Sequence, residues 1–414
     1  MRPAVTVVGR PGSADGWAIR DFLYRSDVPF RWIDADDPAG LAAAGEAGVD
    51  DARLPLCIFA DGTRMERPSI RRITEKLGWF RNPSRTEYDV AIYGAGPAGL
   101  SAAVYGAADG LKTVVVERWA VGGQAGSSSR VENYLGFPGG ISGAELFERA
   151  REQAERFGAE ILLAREGVRA EFPAGKGVGH LADGTMIIAR ASVCATGVAY
   201  RRLGVPGENR FAGAGVYYGA GASEAALAGG DDVFVVGAGN SAGQAVMHFA
   251  PVARRVTMVA RERDVDEAMS AYLVDRIRHA ANVEVMTCCN VVALHGDARL
   301  EEISIRNWDT GKERRARTRW LFVCIGGEPQ TAWADAAGIA RDEKGYIVTG
   351  SDLAPAGGRP HGWPLDRAPF HLETSVPGVF AAGDVRRGSV KRCASAVGEG
   401  AMAIAFVNRY LAGN

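Results

Sequence analysis

The 414-residue sequence lacks an excess of charge of either sign, since 48 lysines and arginines stand against 49 aspartates and glutamates. This balance gives no reason to expect a nucleic acid or an anionic membrane as the main partner. The sequence also lacks an apolar run long enough to span a membrane, and its first residues do not have the pattern of a secretory signal. We therefore expect a cytoplasmic protein, and the length predicts two or three domains.

Cysteine is scarce, and no two cysteines have C-x-x-C or metal-ligand spacing. This pattern predicts a reducing compartment and no metal site. Cys194 and Cys324 lie in hydrophobic strand contexts and are expected to be buried apolar residues. The adjacent pair Cys288 and Cys289 is predicted to lie in a strand, where the two side chains would point to opposite faces and a bridge between them would be strained.

Residues 1–83 are predicted to form a first domain. It should contain strands at Ala4–Val8, Phe30–Asp34 and Leu56–Ala60, helices near Trp17–Tyr24 and Ser69–Leu77, and a turn at Asp61-Gly62. This order resembles a glutaredoxin or thioredoxin-like domain, in which Leu54-Pro55 would take the place of the cis-proline. The redox cysteines of that fold would lie between Gly9 and Trp17, where the sequence has none. We therefore expect a redox-inert domain with a docking or structural role.

A glycine motif follows the next predicted strand, Asp89–Tyr93. It consists of Gly94, Gly96 and Gly99 with Pro97 and Ala98 between them, and it leads into a helix reaching about Ala108. A second strand, Thr113–Val116, ends on Glu117, followed by Arg118. The glycines permit a tight turn, close approach of a pyrophosphate and packing of the helix on the strand, while the acid can hold a ribose hydroxyl. The motif therefore predicts a bound dinucleotide.

The same unit occurs a second time. Strand Asp232–Val236 leads into a turn made of Gly237, Ala238, Gly239, Asn240, Ser241 and Ala242, and strand Val256–Val259 follows. Ala260 stands at the position that corresponds to Glu117, with Arg261 and Arg263 close by. Because the acid is missing and arginine suits a 2′-phosphate, this unit favours NADPH over NADH. An ordinary solvated loop is the alternative for the two arginines.

Further motifs occur at Gly122-Gly123-Gln124, Val131–Tyr134, Cys194–Gly197, Val205–Glu208 and Gly378–Asp384. Together with the two glycine motifs, they resemble the low-molecular-weight thioredoxin reductases over nearly all of Tyr88–Leu411. The resemblance implies an α/β protein with two Rossmann-like, three-layer dinucleotide domains in addition to the thioredoxin-like one. The FAD domain would comprise residues 84–205 and 323–414, and the NAD(P)H domain residues 206–322. A homodimer is also implied.

The resemblance also implies which residues bind each cofactor. For FAD they are Gly94, Gly96, Pro97, Ala98, Gly99, Glu117, Arg118, Gly123, Gln124, Asn133, Val168, Ala195, Thr196, Gly197, Gly383, Asp384, Arg392, Cys393 and Ala394. For NAD(P)H they are Gly237, Gly239, Asn240, Ser241, Ala242, Arg261 and Arg263.

One departure from the family decides the expected chemistry. The disulfide reductases carry a C-x-x-C pair after a Gly-Val-x-Tyr stretch, but here Gly219 and Ala222 stand at the cysteine positions. Without two thiols the usual dithiol exchange cannot run. The missing side chains could open space beside the flavin, lined by Tyr217 and Tyr218, or the two tyrosines could simply pack. Cys393, placed near the flavin by the resemblance, is expected to have a packing or backbone role.

The leading prediction is an FAD-dependent NAD(P)H oxidoreductase without a redox disulfide, whose acceptor is a redox protein, a small molecule or dioxygen. A second hypothesis is a flavin oxidase or tailoring enzyme, in which the segment Ser351–His371 caps the flavin. His361 and His371 are candidates there for acid–base work, with ordinary histidines as the alternative. A third hypothesis is a flavoprotein sensor or scaffold whose N-terminal domain binds a partner.

Overall fold

The computed structural model describes residues 3–219, 221–354 and 357–413. These residues divide into two compact units. The first unit contains the described residues up to Ser69, together with Ser127–Arg130 and Tyr200–Gly326, and the second contains Ile70–Gly126, Val131–Ala199 and the described residues from Gly327 onward. The N-terminal strands therefore share a unit with the second glycine motif.

The N-terminal segment contains the predicted strands and helices. The elements are β1 (Val5–Gly9), α1 (Ala14–Arg25), β2 (Phe30–Asp34), α2 (Pro38–Ala43), β3 (Leu56–Phe59), β4 (Arg64–Glu66) and α3 (Ile70–Lys76). The sheet has the order β2-β1-β3-β4, with β1 parallel to β2 and antiparallel to β3. The Leu54-Pro55 peptide bond is cis. The thioredoxin-like identity of the segment stays a prediction.

Helix α1 has clear local causes. The Ser13 side chain caps it by accepting a hydrogen bond from the Gly16 amide at 3.2 Å. Ile19, Phe22 and Leu23 are buried and recur at the spacing that places residues on one face of a helix. The helix is therefore amphipathic and packs through this face.

The remaining elements follow in chain order. From Tyr88 to Cys194 they are β5 (Tyr88–Tyr93), α4 (Pro97–Ala108), β6 (Thr113–Val116), α5 (Gly143–Arg156), β7 (Glu160–Leu162), β8 (Gly167–Glu171), β9 (Gly177–Leu181) and β10 (Met186–Cys194). From Ala199 to Val323 they are β11 (Ala199–Tyr200), α6 (Glu208–Phe211), β12 (Val216–Tyr218), β13 (Asp232–Val236), α7 (Asn240–Phe249), β14 (Arg255–Val259), α8 (Ala271–His279), β15 (Val283–Met286), β16 (Cys289–Gly296), β17 (Leu300–Asn307), β18 (Glu313–Arg317) and β19 (Trp320–Val323). The last are β20 (Gly327–Glu328), α9 (Trp333–Ala336), β21 (Val379–Ala381) and α10 (Cys393–Leu411). Short 3₁₀ helices occur at Asp51–Arg53, Gly123–Ser127, Pro173–Gly175, Ala222–Glu224 and Gly350–Leu353.

The sheet of the second unit carries the first glycine motif. Its order is β7-β6-β5-β10-β9-β8, and β21 pairs with the last part of β10. β7, β6, β5, β10 and β21 run parallel to one another. β8, β9 and the first part of β10 form an antiparallel meander. Val90 and Ile92 face a core shared with α4, α5 and α10, while Ala91 faces a second core on the other side. This alternation makes the predicted layered arrangement.

The first unit repeats this architecture around the second motif. Its parallel sheet has the order β12-β19-β13-β14-β15, and a separate antiparallel sheet has the order β16-β17-β18. Val233 and Val235 pack towards α7 and α8, whereas Phe234 and Val236 pack towards the antiparallel sheet. The predicted α/β class with two Rossmann-like units is thus confirmed, and the four motif strands lie where the sequence indicated.

Candidate functional site

The first glycine motif forms a tight turn between β5 and α4. Gly94 has φ +102°, and a Cβ there would overlap the carbonyl oxygen of Ala195. A Cβ on Gly99 would overlap the carbonyl oxygen of Gly94. Gly96 differs, because its Cβ would meet nothing nearer than the Cα of Gly123 at 3.9 Å. Packing therefore requires glycine at positions 94 and 99, whereas Gly96 leaves room for a ligand to approach the backbone.

This opening lies at the N-terminus of α4. Gly96 is the N-cap and Pro97 is in the first turn, and no side chain caps the helix. The first amide groups of the helix are thus available to a ligand, and the helix dipole favours negative charge there. A pyrophosphate fits both the open approach and the free donors.

Glu117 follows β6 and is buried with 8% of its surface exposed. Its Oε2 accepts a hydrogen bond from the Ala95 amide at 2.8 Å, and its Oε1 accepts one from the Trp119 amide at 2.8 Å. Each carboxylate oxygen retains lone-pair capacity, so the acid can also accept from a ribose hydroxyl. Arg118 is exposed.

The other residues expected near the flavin in this part of the unit have varied environments. Gly123 has φ +53° and its Cβ position lies 3.2 Å from the Cα of Gly96. The Gln124 side-chain amide donates to the Val198 carbonyl at 2.6 Å. Asn133 is exposed, and Val168 in β8 is 54% exposed. Gln124 is therefore held in place by the chain, whereas Asn133 and Val168 lie at the surface of the unit.

The segment after β10 closes around the motif. The Ala195 amide donates to the Tyr93 carbonyl at 2.8 Å, which extends the pairing of β10 with β5. Thr196 contacts the Cys194 thiol at 3.5 Å between Oγ1 and Sγ, and Gly197 has φ +63°. These contacts explain why Ala195 approaches Gly94 so closely.

A second group of expected flavin residues lies between β21 and α10. The Gly383 amide donates to the Glu399 carboxylate at 2.7 Å, and the Ser389 hydroxyl donates to Asp384 at 3.2 Å. Burial raises the pKa of Asp384. Arg392 is the N-cap of α10 and no side chain caps this helix, so the amides near Cys393 and Ala394 are available at its start. Burial raises the pKa of the Cys393 thiol, which disfavours a thiolate.

The second glycine motif repeats the geometry of the first. Gly237 has φ +133°, and its Cβ would overlap the carbonyl oxygen of Cys324. The Cβ of Gly239 would meet nothing nearer than the Ala268 carbonyl oxygen at 3.9 Å, and Gly239 is the N-cap of α7 without a side-chain cap. Ala242 is fully buried in the helix. This turn also leaves the approach to a helix N-terminus open.

The side chains around this turn differ in charge from those of the first. Asn240 accepts a hydrogen bond from the Ser270 amide at 2.7 Å, and Ser241 is exposed. Ala260 is fully buried. Arg261 is 72% exposed and pairs with Glu262 at 3.0 Å, while Arg263 is 80% exposed and pairs with Asp309 at 2.8 Å. Both arginines therefore lie in a solvated loop.

The segment that replaces the cysteine pair is closely packed at Gly219 and Gly221. A Cβ on Gly219 would overlap the Tyr200 hydroxyl, and one on Gly221 would overlap the Phe322 ring. Tyr200 also contacts the Ser127 hydroxyl at 3.2 Å, and burial raises its pKa to about 12. The room that a side chain at 219 would need is filled by tyrosine. Ala220 lies outside the described residues.

Tyr217 packs in the core, which was one of the two alternatives for the tyrosines. It is 1% exposed and its ring stacks on Phe322 at 5.3 Å and on Trp320 at 5.8 Å between centroids. Tyr218 is partly buried, and its hydroxyl donates to Glu208. Burial and this hydrogen bond raise the pKa of Tyr218. Tyr217 is therefore a core residue, because strand alternation turns it towards the helices.

The cysteine predictions have mixed outcomes. Cys194 and Cys324 are buried as expected, and burial raises the pKa of Cys324 to about 12. The prediction that Cys288 lies in a strand was wrong, because it has φ +54° and only Cys289 belongs to β16. The left-handed residue turns the chain into the strand. All six cysteines are free thiols.

The segment before β21 is anchored by a buried acid that sequence reasoning missed. Glu373 is fully buried and accepts hydrogen bonds from Arg367 at 2.6 and 3.0 Å and from the Gly378 amide at 3.0 Å. His361 and His371 are exposed. Pro355 and Ala356 of the predicted cap lie outside the described residues.

The described residues contain neither a metal-binding cluster nor a helix that could cross a membrane. No cluster of three or more histidine, cysteine, aspartate or glutamate side chains there could hold a metal ion. Within the same residues, every helix is too short or too polar to cross a membrane.

Comparison with known proteins identifies the family. A model of the pyridine nucleotide-disulphide oxidoreductases matches residues 88–400. Thioredoxin reductase of Bacillus subtilis is 35% identical over 326 residues, which cover 78% of this chain and 95% of the relative. The enzyme of Treponema pallidum is 34% identical over 327 residues, covering 79% and 98%.

Solved structures agree with the sequence relatives. Lactococcus lactis thioredoxin reductase in the FR conformation has a TM-score of 0.70 and 27% identity, with 79% of this chain and 100% of that chain covered. Thioredoxin reductase of T. acidophilum has a TM-score of 0.69 and 30% identity, covering 80% and 99%. FAD and NADPH, the cofactors expected from the sequence, are those of the thioredoxin reductase family. The chain therefore belongs to the pyridine nucleotide-disulphide oxidoreductase family, as a flavoprotein oxidoreductase with the two-Rossmann-domain architecture of thioredoxin reductase.

Proposed function

We propose that the protein is an FAD-dependent NAD(P)H oxidoreductase that works without a redox-active disulfide. The observation that carries this proposal is the segment at Gly219 and Ala222, where the two cysteines of a dithiol are absent from the sequence. Tyr200 fills the space beside Gly219, and Cys324 nearby is a buried thiol whose pKa is raised. A buried neutral thiol without a partner cysteine cannot carry out disulfide exchange.

The FAD site in this proposal is made by the second unit. Gly94, Gly96 and Gly99 shape the turn, and the amides at the start of α4 hold the pyrophosphate. Glu117 binds a ribose hydroxyl of the adenosine, and Asp384 binds the ribityl chain. The amides that begin α10, at Cys393 and Ala394, would stabilise negative charge on the bound flavin. FAD supplies a two-electron acceptor that takes hydride from a nicotinamide and passes its electrons on.

The nicotinamide site in this proposal is made by the first unit. Gly237 and Gly239 admit the pyrophosphate to the start of α7, as their counterparts do in the other motif. The absence of an acid at Ala260 removes the group that would repel a 2′-phosphate, and Arg261 supplies a cation. NADPH is therefore the preferred donor.

The acceptor in this proposal takes electrons directly from the flavin and is a redox protein, a small molecule or dioxygen. The relatives' names point to thioredoxin, but exchange with a protein disulfide needs the dithiol that this chain lacks. A homodimer is proposed for the assembly, by analogy with the family.

Anaerobic stopped-flow spectroscopy tests the proposal. The holoprotein is mixed with NADPH or NADH, the bleaching of the flavin band is followed, and the reduced protein is then mixed with dioxygen, a quinone, an oxidised ferredoxin and oxidised thioredoxin. We expect NADPH to bleach the flavin and at least one acceptor other than thioredoxin to restore it. Failure of both nicotinamides would overturn the proposal, and rapid reoxidation by thioredoxin alone would contradict the disulfide-free route.

A further inference from the structure

A fully buried ion pair joins the N-terminal segment to the residues that replace the dithiol. Arg20 in α1 donates from Nη2 to Oε2 of Glu224 at 2.8 Å and from Nε to Oε1 at 3.2 Å. The two side chains are 1% and 0% exposed. Glu224 ends the 3₁₀ helix Ala222–Glu224, which begins at one of the two missing cysteine positions.

The stability of this ion pair depends on the presence of both side chains. Burial raises the pKa of Glu224, and the opposite charge of Arg20 acts against this rise. On the other side, the guanidinium lies 4.1 Å from the centre of the Trp32 ring, and its Nη1 has no hydrogen-bond partner among the described residues. Removing one member of such a pair leaves an unpaired buried charge, which is strongly destabilising. The pair therefore forms only when α1 is seated on the 222–224 helix.

Apolar contacts continue from the ion pair along α1. The Trp17 ring lies 5.9 Å from the Tyr217 ring between centroids, and it packs at the edge of the core that contains Tyr217 and Phe322. Gly213 has φ +74°, and a Cβ there would lie 3.0 Å from both the Ala14 Cα and the Trp17 ring. The backbone of this loop thus approaches α1 closely over its N-terminal half.

We propose that the N-terminal segment Val5–Ser69 is a permanently seated cover over Gly213, Tyr217 and Glu224, rather than a mobile redox arm or a domain free to bind partners. Its α1 is joined through Arg20 to the 222–224 helix, on which one of the two cysteine positions lies, and so covers this helix against an approaching protein disulfide. This face of the helix is consequently closed to thioredoxin-fold partners. The inference deepens the proposed function and rests on it for the acceptor class, since it leaves the flavin as the place where electrons depart.

Hydrogen exchange on the holoprotein tests whether the cover is seated. In the unaltered protein, amides of α1 and of residues 222–228 should be protected to a similar degree, because they open together. Arg20→Ala should raise exchange in both segments by about 100-fold or more, since it leaves Glu224 buried and unpaired. The matched control is Arg10→Ala, which removes an arginine of the same segment whose partners, Asp36 and Asp51, are exposed. This control should change exchange at 222–228 by less than about twofold.

A double variant separates docking from charge. In Arg20→Met/Glu224→Met, both charges are replaced by apolar side chains that fill similar space, and protection of both segments should return to within about tenfold of the unaltered protein. Fast exchange of 222–228 in the unaltered protein would overturn the proposal. The proposal would equally fail if Arg20→Ala behaved like Arg10→Ala.

A thiol probe tests whether the face is closed. Ser223→Cys places a thiol of similar size beside Glu224, and the probe is a thioredoxin-fold protein carrying a thionitrobenzoate mixed disulfide. Attack by the new thiolate forms a protein–protein disulfide and releases thionitrobenzoate, and peptide mapping distinguishes it from the native cysteines. We expect adding Arg20→Ala to accelerate this reaction at least about tenfold, while a small alkylating reagent reacts in both backgrounds. Equal rates with the protein probe would refute closure.

The same samples keep the two proposals apart. Flavin bleaching by NADPH is recorded for each variant before exchange is measured. Loss of bleaching in the unaltered protein would count against the proposed function and leave the exchange result standing. Normal bleaching with an unprotected 222–228 segment would count against the cover alone.

Discussion

The two glycine motifs have nearly the same backbone but opposite side-chain chemistry where their second strands end. Gly94 and Gly237 both have positive φ, and each lies against the carbonyl of the residue that follows a neighbouring strand, Ala195 and Cys324 respectively. In both turns the middle glycine faces open space at the start of a helix. After the second strand, the Gly237 motif has the uncharged Ala260. The Gly94 motif has the buried carboxylate of Glu117 at the corresponding position.

This comparison indicates what each part of the motif does. The shared backbone suits a feature common to dinucleotides, the pyrophosphate. We propose that the side chain after the second strand recognises the feature that distinguishes the two cofactors, a free ribose hydroxyl for Glu117 and a 2′-phosphate for Arg261. Substitutions in one motif should therefore weaken binding of one cofactor and leave the other cofactor bound.

The largest expected effect comes from Gly94→Ala. The new Cβ would overlap the Ala195 carbonyl and would also require an unfavourable φ of +102°. We expect the purified variant to hold less than about a tenth of the normal FAD, because the turn must shift away from the pyrophosphate. The ratio of flavin to protein absorbance measures this.

Gly110→Ala is the matched control for that variant. Gly110 also has a positive φ, +82°, but a Cβ there would meet nothing within 4 Å. It should lose about 1 kcal/mol of unfolding free energy and keep its FAD. Equal FAD loss in both variants would show that backbone strain, rather than the Ala195 contact, explains the effect.

Gly237→Ala should produce the complementary result. Its Cβ would overlap the Cys324 carbonyl, so the turn of the second motif is displaced. We expect normal FAD content together with a loss of about 100-fold or more in the efficiency of flavin reduction by NADPH. Loss of FAD from this variant, measured by the same absorbance ratio, would break the proposed assignment of one dinucleotide to each motif.

Arg261→Ala should have a smaller and selective effect. We expect the Kd for NADPH to rise about tenfold and that for NADH to change little, because the arginine would contact only the 2′-phosphate. Arg254→Ala serves as the control, since Arg254 is an exposed arginine of the same unit that pairs with Asp232 and is not among the residues expected to bind the nucleotide. Stopped-flow titration of the reduction rate measures both constants. Parallel losses with the two nucleotides would remove the argument for NADPH.

The smallest expected effect concerns the thiol of Cys393 at the start of α10. Because burial raises the folded-state pKa of Cys393, its thiolate fraction at neutral pH should be below that of an ordinary thiol, whose pKa is about 8.5. Alkylation of Cys393 should therefore be slow at pH 7 and should still be increasing with pH above about 9. Mass spectrometry of the Cys393 peptide, with a model thiol as control, gives the rate. Rapid alkylation at pH 7 would indicate an activated cysteine.

Much of the fold could be predicted from the sequence because its signals are local. The strands at Thr113–Val116 and Asp232–Val236 have the predicted bounds. Each is a run rich in β-branched residues, and the acid or the glycine turn that follows marks where the strand ends. The Gly94 and Gly237 turns likewise follow from residues that lie next to one another. Such features require no knowledge of distant contacts.

The features that were missed depend on residues far apart in the chain. Tyr200 fills the space beside Gly219 and Arg20 pairs with Glu224, but nothing in the spacing of these residues reveals either contact. Cys288 is a different case, because its φ of +54° is a local feature and the sequence has no glycine there to indicate it. The sequence offers one signal for the ion pair. Arg20 is a charged residue next to Ile19, at a helix position that otherwise suits the core.

Anaerobic reductive titration tests the central claim most directly, because it counts the electrons that the holoprotein can store. Dithionite is added under anaerobic conditions while the flavin absorbance and the free thiols are measured. A protein without a redox disulfide should take up about two electrons per FAD, with the number of free thiols unchanged. An uptake of about four electrons per FAD with two new thiols would reveal a redox-active disulfide and contradict the account.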